Sequence, residues 1–317
     1  MPVSQALIVR SRSGAAIRVG TAGWTDPTLT APGVFYPASA TSAENRLRYY
    51  ASRFPVVEVD SPFYALPSRR SAELWVDRTP EDFTFNVKAN ALMTGHATDV
   101  ARLPRELRQA LPTELREKQR VYAKDLPSDV TDAVWEWFVD ALGPLHAAGK
   151  LGAVLLQYPR WFVPSRESRH ALVEAKQRLG DHPAAIEFRN RRWLTGPVAE
   201  RTLAFLTEHD LPFVAVDEPQ GMASSVPPIM AVTSPRLALV RLHGRRAETW
   251  EQRNVSVAER YRYLYTQAEL EEWLPRVRQA ADEAREVHVL YNNCYANYGT
   301  TNALEFMALL RERALQE

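Results

Sequence analysis

Three residues able to move protons stand at matching places in this sequence: Glu58 in VVEVD, Glu187 in AIEFR and His243 in VRLHG. Each closes a short apolar run, so a rigid element rather than a loop would hold it. His243 is the natural general acid or base, because an imidazole titrates near neutrality, and Glu58 or Glu187 is its partner or orienter. Runs of the same kind carry Lys88, Arg189, Arg241 and Arg245, whose charges suit a phosphate or carboxylate. Asp217, Gln157 and Asn292 add polar groups, and Trp24 and Tyr64 follow two of the runs with rings that can stack on a sugar or base.

Side chains alternate faces along a strand, so their phase can be read directly. Leu237, Leu239, Arg241, His243 and Arg245 share one face, and Ala238, Val240 and Leu242 the other. Val56 is likewise in phase with Glu58 and Asp60, Ala185 with Glu187 and Arg189, and Phe213 and Ala215 with Asp217. Gln157 falls in phase with Leu155, Asn292 with Leu290, and Asn86 with Lys88. One face of each run is apolar, and the other turns polar towards its C-terminal end. The carboxylates Glu58, Asp60, Glu187 and Asp217 balance Lys88, Arg189, Arg241 and Arg245. Singly, these residues read as a buried network that neutralises itself; together they read as a site, since a purely structural interior could be aliphatic.

The runs that must position these groups are 17–21, 56–60, 83–88, 153–157, 184–188, 213–217, 237–243 and 287–291. Amphipathic helical stretches separate them, except that the prolines of 218–235 leave room for at most a short helix. A strand followed by a crossover, repeated eight times, predicts parallel pairing and a (β/α)8 TIM barrel, typically built from roughly 250 residues. A flexible arm of residues 1–16 and a single barrel domain over 17–317 are expected. Active sites of such barrels lie at the C-terminal ends of the strands, where the polar groups fall. One connection is long. Residues 91–129 follow the third strand, with a helix expected near Thr113–Ala123, and read as a lid or as a packing extension.

With 45% hydrophobic and 24% charged residues the chain suits an ordinary folded protein. Its net charge of +1 lacks the basic excess of a protein devoted to a phosphate backbone. The single cysteine, Cys294, precludes an intrachain disulfide and a cysteine-built zinc site. No run approaches the roughly 18 apolar residues of a membrane helix, and no signal-peptide core is present, so a cytoplasmic location is expected.

The strings GTAGW (20–24), GVFYP (33–37), VEVDSPFYALP (57–67) and TPEDFTFNVKAN (79–90) resemble the YecE-like proteins, domain-of-unknown-function family 72. So do LLQYP (155–159), IEFRNRRW (186–193), VRLHGR (240–245) and YNNC (291–294), in order along nearly the whole chain from Ile17. Asp60-Ser61-Pro62 departs from the Asn-Ser-Thr expected there. The resemblance implies a TIM barrel and no particular reaction.

Common catalytic templates are missing: there is no phosphate-binding G-x-x-x-x-G-K-[ST] loop, no G-x-S-x-G elbow and no H-E-x-x-H pair. Glu58, Glu187, Asp217 and His243 have suitable types for a metal, but guanidinium groups in the same layer remove much of the electrostatic gain. No metal and no cofactor is therefore expected. Two functions fit. One is an enzyme acting on a small anionic metabolite, a sugar phosphate or nucleotide, at the barrel mouth. The other is a nucleic-acid-binding or repair protein, by analogy with endonuclease IV type barrels.

Overall fold

The computed structural model describes residues 7–222, 224–252 and 254–314. Its parallel strands are β1 (Ala16–Ala22), β2 (Val56–Val59), β3 (Thr84–Lys88), β4 (Leu151–Tyr158), β5 (Ala184–Phe188), β6 (Val214–Asp217), β7 (Leu237–Leu242) and β8 (Glu286–Tyr291). They pair in the order β5–β4–β3–β2–β1–β8–β7–β6. A single parallel bridge between Ile186 and Phe213 joins β5 to β6 and completes the ring. The main outer helices are α1 (Ala43–Ala51), α2 (Arg69–Asp77), α3 (Ser128–Ala147), α4 (Arg166–Leu179), α5 (Pro197–Glu208), α6 (Gln267–Glu283) and α7 (Tyr298–Ala314). This is the (β/α)8 barrel that the alternation predicts.

Local chemistry fixes where the helices begin. Ser42, Ser68 and Ser165 cap α1, α2 and α4 by accepting from the backbone N–H three residues on, and Thr266 with Glu269 forms a reciprocal capping box on α6. Between β6 and β7 the described residues contain no helix, as the prolines there require. The outward faces of the strands, including Val57, Val59, Phe85, Val87, Ile186, Val240 and Val289, are buried in one continuous core. Burying each such side chain contributes about 1.5–3 kcal/mol. In β1, Gly20 lets the neighbouring strand approach: a Cβ there would lie 2.0 Å from the Val56 carbonyl oxygen.

Two segments differ from the sequence reading. Residues 1–6 of the expected arm lie outside the described residues, but Val9–Arg10 pair antiparallel with Ile17 and Ala16, extending the edge of β1. The insertion after β3 holds two short helices, Arg105–Ala110 and Thr113–Arg116, instead of one over 113–123. A two-residue pairing of Thr98–Asp99 with Arg120–Val121 ties its ends. Its Val100, Leu103, Leu107, Leu111 and Val121 are buried with the main core, so much of it is packing. Among the described residues no helix is long and apolar enough to cross a membrane.

Candidate functional site

Parallel neighbours in register share a face, which fixes what points inward. Glu58 is level with Asn86, Gln157 with Glu187, and Arg241 with Val216 and Leu290. Glu58, Glu187, Arg241 and His243 are buried together inside the upper barrel. Arg241 donates from its two terminal nitrogens to Glu58 and to Glu187. Arg189 reaches Glu187 with Nε at 2.6 Å, Glu218 with Nη1 at 2.7 Å and His243 Nε2 with Nη2 at 3.0 Å. Gln157 donates to Glu187 Oε1 at 2.7 Å. The sequence reading made Arg241 and Arg189 ligand contacts, but carboxylates take both terminal nitrogens of Arg241, and all three nitrogens of Arg189 have protein partners.

These contacts set the protonation states. Burial opposes ionisation of Glu187, but Arg189 and Arg241 overcome it and hold its carboxyl well below the ordinary range. Glu58 shares only Arg241 and lies near Asp60, so burial wins and lifts its carboxyl to about 7. One oxygen of Glu58, Oε2, is buried without a hydrogen-bond partner. His243 is lowered to about 3 by burial and by Arg189, which keeps the ring neutral. Its Nε2 lies between Arg189 Nη2 at 3.0 Å and Glu187 Oε1 at 3.5 Å. The Asn292 amide nitrogen lies 2.8 Å from Nδ1. In this arrangement both ring nitrogens of His243, expected from the sequence as a general acid or base, have protein neighbours.

Above this network a cavity of about 440 Å³ opens at the barrel mouth. Gln157 and Arg189 lie on its inner side, and Arg160, Trp161, Trp250, Arg260, Tyr261 and His96 line its walls. Arg260 donates from Nη2 to the Gln252 carbonyl, while its Nε is buried and unpartnered. Arg160 and Arg260 have no carboxylate at ion-pair distance among the described residues. Trp161 is 61% exposed, with His96 edge-on to it at 5.6 Å.

The family model described as "Protein of unknown function DUF72" matches residues 18–317. The chain belongs to this family. It is similar to the UPF0759 protein YunF of Bacillus subtilis (strain 168), with 33% identity over 301 residues, covering 93% of this chain and 94% of that protein. A solved DUF72 protein of Enterococcus faecalis V583 (EF0366) superposes with a TM-score of 0.73 at 28% identity, covering 93% of this chain and 95% of that one. Another, from Thermotoga maritima MSB8 (TM1631), gives 0.70 at 29% identity, covering 93% and 99%.

In this DUF72 chain, three expected mouth residues lie elsewhere. Asp217 is level with Leu242, on the helix side, where it accepts from Trp273 Nε1 at 2.7 Å, Tyr265 Oη at 2.9 Å and Arg245. Its neighbour Glu218 takes the inward position instead. Arg245 is turned outward after Gly244, whose φ is +87°, and pairs with Asp217 and Glu272. Trp24 is buried edge-on against Trp75 at 6.2 Å and Phe85 at 6.5 Å, between wall and helices. The four residues whose types could suit a metal are not brought together, because Asp217 lies across the wall from Glu58, Glu187 and His243. Lys88 keeps its inward place, 3.6 Å from Asp60 and over the Phe63 ring. Tyr64 is half exposed, beside Phe63 and under Arg102 of the insertion.

Sequence reasoning missed Glu218, His96, Arg160, Arg260 and Tyr261. For Glu218 the signal was the alternation of Val214, Val216 and Glu218; the others lie in segments leaving strand C-termini, with no periodicity to mark them.

Proposed function

We propose that this protein is an enzyme acting on a small anionic metabolite, a sugar phosphate or nucleotide, held in the mouth cavity. The observation that carries the reading is the pair Arg160 and Arg260 on the cavity wall, neither with a carboxylate at ion-pair distance among the described residues, with Glu251 on the same wall acting on Arg160 only from further off. Guanidinium groups so placed suit a phosphate, and the exposed face of Trp161 suits a ring. Glu58, Arg241, Glu187 and Gln157 form a hydrogen-bonded chain from the barrel interior to the cavity floor, which holds the floor rigid under a ligand. The charged ring proposed as the anion site from sequence thus becomes the support beneath it, and the binding charge moves to the rim.

Tryptophan fluorescence titration tests this with adenosine monophosphate and ribose 5-phosphate against adenosine and ribose. The phosphate-bearing probes are expected to bind more tightly. Arg260→Gln and Arg160→Gln should each weaken them by about tenfold or more, since a hydrogen bond to a charged group contributes about 1.5–3 kcal/mol. Equal binding with and without phosphate contradicts the reading. Tight, steeply salt-dependent binding of a single-stranded oligonucleotide, with no binding of the mononucleotide, favours the nucleic-acid alternative.

A further inference from the structure

The acid–base residues expected from sequence lie beneath the cavity, yet one titratable ring stands on its wall. His96 comes from the insertion, just after the short 3-10 helix Ala91–Thr94 that Asn90 caps. Thr94 Oγ1 lies 2.9 Å from His96 Nδ1, and the ring is held edge-on by Phe63 at 5.1 Å and Trp161 at 5.6 Å. Three elements therefore fix its orientation: its own turn, the start of the connection after β2 and the start of the connection after β4. Its Nε2 has no protein partner among the described residues.

We infer that His96 is the proton-exchanging residue of this site: it takes up a proton when an anion enters the cavity and donates from Nε2 to an oxygen of the bound ligand. The inference rests on the anion reading above and adds to it the residue that responds. In the empty site the ring is neutral, lowered to about 4 by burial and then by the nearby charges of Lys88 and Arg189. Those two cations act on the ring from β3 and from beyond β5, and Arg160, Glu251 and Arg260 share the cavity wall with it. Thr94, Phe63 and Trp161 add no charge.

A phosphate in the cavity offsets both cations and places negative charge beside Nε2, and both effects favour the imidazolium. The balance is one proton from solvent per complex, carried on Nε2 and returned when the cavity empties. By reciprocity, protonated His96 binds the anion more tightly, by up to tenfold for each pH unit between the free and bound midpoints. The insertion therefore contributes more than cover, because it supplies this ring.

Proton NMR of the histidine Cε1–H signals of the full chain tests this, with and without saturating adenosine monophosphate. The His96 signal is identified by its loss in His96→Gln, or in His96→Asn if the first variant fails to fold. The expected result is a titration midpoint at least one pH unit higher with the nucleotide bound. Calorimetry at pH 5 in two buffers of different ionisation enthalpy should show extra proton uptake in the wild type that the variant lacks. An unmoved midpoint at demonstrated saturation overturns this inference and leaves the anion site standing. Failure of both adenosine monophosphate and ribose 5-phosphate to bind overturns the anion site, and this inference with it.

Discussion

Arg241 on β7 holds Glu58 on β2 and Glu187 on β5 at the same time, tying three strands that are not neighbours across the barrel interior. One guanidinium is thus the common partner of two buried carboxylates. Removing it leaves Glu58 facing Asp60 with no cation in contact. Arg241→Ala is expected to cost about 3–5 kcal/mol of stability, the usual effect of stripping one partner from a buried ion pair. Urea denaturation measures this, and a variant as stable as the wild type would contradict a structural role for Arg241.

Stability should also carry the signature of Glu58. Its carboxyl is raised from an ordinary value of 4.5 to about 7, so the folded state binds the proton more tightly than the unfolded chain does. The stabilisation is fully present below about 4.5 and is lost as pH rises through about 7. Glu58→Gln, which cannot ionise, lacks that loss. The wild type should therefore lose ground to Glu58→Gln across this window, with no further change above it. Urea midpoints at several pH values follow the difference, and one that does not vary with pH rejects the assignment.

The cluster on the other side of the wall makes a different demand. Asp217 accepts from Trp273, Tyr265 and Arg245, so Asp217→Ala strands three donors and is expected to cost about 3–5 kcal/mol. Arg245→Ala leaves the tryptophan and tyrosine donors in place and should cost less, about 1–3 kcal/mol. Neither change should alter binding of phosphate-bearing probes at the mouth. A weakened titration for Arg245→Ala in a fully folded sample would restore that residue to the rim.

Gly20 offers a test of the wall itself. A methyl group there would meet the Val56 backbone carbonyl, which cannot rotate away as a side chain could. Gly20→Ala should therefore reach or exceed the upper end of the usual overpacking cost of about 1–3 kcal/mol. A melting temperature matching the wild type would show that β1 and β2 can separate freely.

The fold was legible because a barrel repeats one physical rule, and β-branched runs alternating with amphipathic stretches state that rule eight times. The inward positions of Glu58, Glu187 and Arg241 followed from the same alternation. The phase failed at β6 and beyond β7. Taking Phe213 as an inward residue put Asp217 inside and left Glu218 unread, while register with β7 shows the opposite. Past His243 the positive φ of Gly244 ends the alternation, which no period-two pattern contains. His96, Arg160 and Arg260 lie in connections, where tertiary contacts alone decide direction.

The join between β5 and β6 has one further consequence. A lone bridge at Ile186 and Phe213 spans it, and above it Arg189, just past β5, grips Glu218, just past β6. Arg189 also lines the cavity. The same guanidinium therefore works as a clasp on the thinnest seam of the ring and as part of the lining of the mouth cavity, so the seam of the barrel and the floor of its mouth share one side chain.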